Sequence, residues 1–365
     1  MLRNNNEKKL YPNPDVIFYL ADEGIVAVNT LTKEEYDLMD TYFSRLKFWN
    51  GQRSDKMNAI DVDLLAGDLV LESLADRSQW EGDRLSELFH TATRNPAIMV
   101  PSLSEEEAAR QFVEMSQLKQ KKLERFIPPA IDIIKLPEPH LKVIHDTSLF
   151  EVCKNRKTSR SFNGDPVALS HLSDLLFMSF GYIHGKEWEE IAAEDLNTVS
   201  ERKSSPSGSG VQACDAYLAV VSIEGLVPGY YHYRADGHEL ALLTPECDAA
   251  AISHSVCDQF WVKGAACGIF ITVDMNRVWY KSDLARAYAY VFLEAGHISQ
   301  TTLLNATALG LKTWLSGSMR DEFVAEKFGL DGWRHFPVTS VFIGHGIEDA
   351  VPQKIRETAL ELRQG

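Results

Sequence analysis

Apolar residues cluster in short runs along the first third of the chain. In residues 15–28, Asp-Val-Ile-Phe-Tyr-Leu-Ala-Asp-Glu-Gly-Ile-Val-Ala-Val, they predict two strands around an Asp-Glu-Gly turn. A helix is expected to start near Thr32, with Glu34 and Glu35 in its first turn. The spacing of Val62, Leu64, Leu65, Leu69, Leu71 and Leu74, then Leu85, Leu88 and Phe89, predicts further short helices or strands up to about residue 95. Ser102-Leu-Ser104-Glu-Glu-Glu has the hydroxyl-then-carboxylate form of a helix start. That helix should run through Met115 and Leu118 into the basic stretch Lys119–Arg125, where Pro128 and Pro129 stop it.

From Pro128 to His140 four prolines interrupt an apolar segment, the pattern of a linker, and a domain boundary is expected at residue 140. Beyond it the periodicity alternates between helix and strand. It predicts a helix over 168–182, a strand over 215–223, a hairpin over 230–243, a helix over 248–258 and a strand over 267–273. One long helix over 284–309, then strand, helix and strand to Gly344, and a terminal helix over 353–363 complete it. The expected fold class is α+β. A domain over 141–365, with a mixed sheet flanked by helices, follows a smaller α+β unit over 1–140, for which a winged-helix-like form is one option.

Composition narrows the function. The chain has 365 residues, 45% of them apolar, enough for a substantial core. Its formal charge of −15 and lack of a long basic run argue against a nucleic-acid surface. The first residues carry no apolar signal-peptide core, and no run reaches the about 18 apolar residues of a membrane span, so a cytoplasmic protein is expected. Cys153, Cys214, Cys247, Cys257 and Cys267 form no Cys-x-x-Cys pair, and His232 and His238 have no neighbouring thiols, so no disulfide framework and no metal site are expected.

Three segments carry candidate chemistry. Arg156-Lys157-Thr158-Ser159-Arg160-Ser161-Phe162 sets three cations and three hydroxyls within six residues, suited either to a doubly charged phosphate or to a solvated basic turn. Lys203-Ser-Ser-Pro206-Ser207-Gly208-Ser209-Gly210 is either an ordinary turn or a loop whose backbone N–H groups approach a flat or anionic ligand. On the long helix, Arg286, Tyr290, Gly296-His297 and Gln300 fall near one stripe.

In order, these segments resemble the nitroreductase-like flavoproteins, and in particular the azoline-dehydrogenase branch (the SagB type) of ribosomal peptide maturation. The resemblance covers about residues 148–346. It rests on Arg156–Phe162, on Lys203–Tyr217, on Gly225-Leu-Val-Pro-Gly229-Tyr-Tyr231-His-Tyr233, and on Arg286-Ala-Tyr288 with Leu293-Glu-Ala-Gly-His-Ile-Ser-Gln300. It implies FMN at a homodimer interface. Arg156, Lys157, Thr158 and Arg160 would take the phosphate and the pyrimidine side of the ring. Pro206, Ser207, Gly208 and Ser209 would lie against the ring, with backbone N–H groups facing N5. Gln300 would complete the cofactor site, and Ser316-Gly317-Ser318 and Gly344-His345-Gly346 would close the phosphate pocket, with His345 in place of the more usual arginine.

The same resemblance implies oxidation of azoline rings in a precursor peptide, with a cyclase as a further partner. The branch's Lys-Tyr pair corresponds here to Tyr280-Lys281, in reversed order, with Lys281 five residues before Arg286 rather than four. Lys281 is the expected base, Tyr280 its partner and Tyr288 the alternative. The first 140 residues could supply a strand for an extended leader peptide, with Lys119–Arg125 as a basic patch for an acidic one. Two other functions fit the same residues: an NAD(P)H-dependent reductase of nitro compounds or quinones, and a flavin-free docking subunit of a peptide-modifying complex.

Overall fold

A computed structural model describes residues 9–22, 24–50, 52, 56–77, 80–94, 103–118, 125–184, 202–280, 282, 284–349 and 351–364. The chain forms two compact units, residues 1–101 with 284–286 and residues 102–283 with 287–365. Among the described residues no helix is long and apolar enough to cross a membrane.

In the first unit, β1 (Tyr11–Pro12) pairs with β5 (Val70–Leu71), and β2 (Val16–Ala21), β3 (Gly24–Asn29) and β4 (Glu35–Leu38) form an antiparallel sheet in that order. Helices α1 (Asp40–Trp49), α2 (Ala59–Ala66) and α3 (Arg84–Thr93) complete it. The hairpin of β2 and β3 stands where the apolar runs within residues 15–28 place it. The helix expected near Thr32 does not form there; that stretch is β4, and the helix begins at Asp40. The hydroxyl-and-glutamate signature around Thr32 serves a turn, in which Thr32 and Leu31 donate backbone N–H groups to the Asn29 side chain.

Trp49, Leu64, Leu10 and Val70 fill this unit's core. At its edge the buried Asp61 accepts from Arg45 at 2.6 Å, from Trp49 Nε1 at 2.6 Å and from the Asn58 N–H at 2.8 Å. Burial alone would push its carboxyl up, but these donors outweigh that and hold it below the usual range.

The second unit is built on a seven-stranded sheet. Its elements are α4 (Glu105–Leu118), β6 (Asp132–Lys135), α5 (Lys142–Asp146), α6 (Leu149–Asn155), α7 (Leu169–Phe180), β7 (Cys214–Val220), β8 (Gly229–Arg234) and β9 (Glu239–Pro245). There follow α8 (Ala249–Ser255), β10 (Cys267–Asp274), α9 (Met275–Trp279), α10 (Ala285–Ala308), β11 (Lys312–Ser316), α11 (Asp321–Phe328), β12 (His335–Gly344) and α12 (Gln353–Gln364). The strand order is β11-β12-β10-β7-β8-β9-β6, antiparallel in every ladder. Among the described residues the parallel pairings are single bridges, Thr158 to Thr313 and Val167 to Ile223.

Period-two alternation distributes the strands between two cores. Cys214, Ala216, Leu218 and Val220 of β7 join Ile269 and Ile271 of β10 under α7 and α10, with Leu172, Leu176 and Ile298. Tyr217, Ala219 and Phe270 point to the opposite face, against Ile252 of α8 and Phe328 of α11. The structure moves one boundary. β6 lies inside the segment read as a linker and pairs with β9, so the second unit starts before residue 140. Pro128, Pro129, Pro137 and Pro139 flank this strand, and an edge strand tolerates proline because one of its sides is unpaired.

Candidate functional site

The basic segment is fastened to one end of the sheet. Arg156 ends α6, its N–H donating to Val152 O at 2.9 Å. Ser159 N donates to Thr313 O at 2.8 Å, Arg160 N to Asp349 O at 3.0 Å and Asn163 N to His345 O at 3.0 Å. Phe162 bridges Gly346, and the close approach there explains the glycine: a Cβ on Gly346 would lie 2.1 Å from Ser161 O. These bonds leave Lys157 and Thr158 lining a cavity of about 320 Å³ with Asn155, Ser159, Lys312 and Glu348. Glu348, half in solvent, pairs with Lys157 at 2.8 Å and Lys312 at 3.5 Å; the two ammonium groups hold its carboxyl below the usual range. Ser159 is buried and spends its hydroxyl on Ile347 O. Arg160 lies over the Trp261 ring, 5.9 Å from its centre.

His345 joins this region through its backbone carbonyl. Ser316-Gly317-Ser318 does not. It sits at the far end of β11 from Thr313, about 10 Å along the strand, and closes on itself through Ser318 N to Ser316 Oγ at 3.1 Å.

The Pro206–Gly210 loop docks on α10 along one stripe. Gly208 faces the Tyr290 side chain, which a Cβ there would meet at 3.7 Å, Ser207 Oγ donates to Glu294 Oε2 at 2.5 Å, His297 Nδ1 meets Pro206 O at 3.3 Å, and Ser205 Oγ meets Thr301 Oγ1 at 2.8 Å. Residues 290, 294, 297 and 301 repeat at helical spacing. The stripe expected through Tyr290, His297 and Gln300 thus runs one residue to the side at its end, and Gln300 is exposed. Glu294 and Thr301 were missed; their three- and four-residue offsets from His297 were the available signal. The loop turns at Gly208–Gly210, which includes Ser209, where Gly210 takes a left-handed φ of 65°.

A buried ion cluster holds the loop's base. Lys203 Nζ donates to Cys214 O at 3.0 Å and lies 3.6 Å from Asp215, which also pairs with Arg125 at 3.0 Å. Arg125 donates as well to the Tyr182 hydroxyl. Burial would raise the Asp215 carboxyl, but Arg125 and Lys203 outweigh it and bring it to about 2; burial lowers the Lys203 ammonium. Arg125, read from sequence as part of a surface patch, is therefore a structural partner of β7, while 119–124 lie outside the described residues.

Of the candidate bases, Tyr280 is half-buried at the end of α9, and Lys281 lies outside the described residues. Tyr288, on α10, stacks on Phe336 with ring centres 6.1 Å apart. Both histidines considered for a metal have packing roles. His232 stacks on Tyr217 at 4.4 Å, and His238 bridges Tyr233 at 2.8 Å and Ser173 at 2.7 Å.

A family model described as the nitroreductase family matches residues 153–345. A protein of Methanocaldococcus jannaschii assigned as a nitroreductase is 24% identical over 215 residues, 59% of this chain and 97% of its own length. Among solved structures, one assigned as a nitroreductase from Ralstonia eutropha JMP134 is 21% identical, with a TM-score of 0.47 over 62% of this chain and 98% of its own. A chain of the E. coli microcin synthetase McbBCD complex with truncated pro-MccB17 bound is 18% identical, with a TM-score of 0.45 over 68% of this chain and 84% of its own.

Proposed function

This chain belongs to the nitroreductase family, and from that premise we propose that it is an FMN-dependent dehydrogenase that oxidises azoline rings to azoles during maturation of a ribosomally made peptide. The observation that carries the cofactor is the donor set at the sheet's end. Lys157, Lys312 and the Thr158 hydroxyl surround a cavity whose carboxylate, Glu348, is exposed enough to be displaced by a phosphate dianion. Arg156 and Arg160 add positive charge on the same segment, which suits the phosphate and the pyrimidine edge of the flavin.

Bound FMN supplies a two-electron acceptor that takes hydride at N5. The chain's own residues do the rest. The Ser207–Ser209 backbone would lie against the ring, and Lys281, with Tyr280 beside it in sequence, would remove the C–H proton; Tyr288 is the alternative base. One ring carbon loses a proton to the base and its neighbour loses a hydride, and a carbon–carbon double bond forms between them.

The peptide part of this reading rests on the ordered motifs and on the added first unit. There β2 is an edge strand with Ile17, Phe18, Tyr19 and Leu20 exposed, open to pairing with an extended leader segment. In this reading the protein works as a homodimer beside a cyclase. Purified protein should show a flavin spectrum, and incubation with the cyclised precursor peptide should remove the mass of two hydrogens per ring. A flavin-loaded protein that leaves the mass unchanged rejects azoline oxidation.

A small-molecule reductase is the second reading. It is favoured by the M. jannaschii relative, 97% of whose length corresponds to 59% of this chain. Anaerobic NAD(P)H separates the two: rapid bleaching of the flavin supports a reductase, and no bleaching counts against it.

A further inference from the structure

Glu294 is an anomaly within α10. It is 4% exposed and lies among Val291, Ala295 and Ile298, where an unsatisfied carboxylate would be strongly disfavoured. Its oxygens are satisfied from the loop and the strand that follows: Oε2 accepts from Ser207 Oγ at 2.5 Å and Oε1 from the Cys214 N–H at 2.9 Å. The Ser207 hydroxyl in turn accepts from the Gln212 N–H at 2.9 Å. One carboxylate therefore ties the start of the loop to its end. Between them Gly210 and Gln212 adopt left-handed φ values of 65° and 49°, and glutamine has no intrinsic preference for that region. Gly208, Val211, Ala213, Tyr290, Val291 and Glu294 are among the residues lining a small, partly open pocket of about 40 Å³ beside the loop, so the loop is not packed tightly on every side.

We propose that Glu294 is a positioning residue for the cofactor: acting through Ser207, it holds the Ser207–Gly210 backbone in its flavin-facing form before FMN binds. This rests on the flavin reading of the loop. Preorganisation of this kind shows in binding, because a loop that must be ordered on association weakens affinity.

The test uses the full chain, with FMN titrated by flavin fluorescence, amide hydrogen exchange over 204–214 without FMN, and the visible spectrum of bound flavin. Ser207→Ala and Glu294→Gln should each weaken FMN about tenfold, the scale of one charge-assisted hydrogen bond, and speed exchange of the Gln212 amide. The bound-flavin spectrum should shift as the ring's hydrogen bonding changes. Ser207→Thr, which keeps the hydroxyl, should restore all three. Because Ser207 is only half-buried, Ser207→Ala remains informative where a Glu294 variant misfolds. Unchanged exchange and unchanged affinity in folded Ser207→Ala overturn the proposal. Wild-type protein that takes up no FMN overturns the flavin reading and the positioning role with it, and faster exchange in the variants would then assign Glu294 to loop order alone.

Discussion

At the scale of single residues, the buried charges make the sharpest predictions. Asp215 balances two cations, so Asp215→Asn should cost about 3 kcal/mol in chemical denaturation by removing the carboxylate that Lys203 and Arg125 share. Lys203→Met should cost clearly less, because Arg125 stays on the carboxylate and a buried ammonium is removed. The reverse order would refute this account of the cluster. His232 sets a pH dependence: burial brings its imidazole down from 6.5 to about 4. Between those values the unfolded chain binds a proton that the folded one does not. Its contribution is therefore complete above pH 6.5 and is lost as the pH falls toward 4, by up to about 3 kcal/mol. His232→Phe should flatten the fall in unfolding free energy over that window. None of this was legible beforehand, since Lys203 and Asp215 lie in a stretch chosen for its glycines, and Arg125 belongs to a run that looks like a solvated surface. What could be read was the loop itself and two of its helix contacts, Tyr290 and His297, because an aromatic ring, a histidine and a glycine at helical spacing stand out where a single glutamate does not.

Elements were legible where burial was two-sided or strongly periodic. Strands β7 and β10 and the long helix α10 fall within a few residues of expectation because each has many apolar positions to set its phase. Strand β4 was not, because Glu35-Tyr-Asp-Leu38 is an edge with mostly polar side chains and follows a turn that imitates a helix cap. Strand β6 was hidden by its prolines. The seating of Arg156–Phe162 is an element-scale feature too, with its own prediction. Gly346→Ala would drive a Cβ into the Ser161 carbonyl, a backbone atom that cannot turn aside. The segment and the end of β12 should part at a cost of about 2 kcal/mol. A lowered melting temperature together with weaker FMN binding is the expected result, and unchanged FMN binding would separate the segment from the cofactor.

For the whole molecule, the division into two units with separate apolar cores matters most. Residues of the first unit's core all lie before residue 71, and those of the sheet's cores all lie after residue 135. Asp61→Asn weakens the Arg45, Trp49 and Asn58 bonds and should destabilise the first unit by about 2 kcal/mol while leaving FMN affinity unchanged. Hydrogen exchange over residues 11–71 beside a flavin titration checks this. Composition marks where proline is dense, whereas β6, within that proline-dense stretch, belongs to the large sheet through its pairing with β9. Strand pairing ends in a particular way at both margins of the large sheet. On one side β6 is four residues long, charged at Asp132 and Lys135, and bracketed by prolines. On the other, β11 meets the single Thr158 bridge and the Ser159 N–H. Short, charged, irregular borders of this kind give no template for another molecule's strand. The basic segment proposed to grip FMN is thus also a border of the sheet, so a mutation that loosens it should threaten colloidal stability, and a protein starved of flavin should be the one most prone to aggregate.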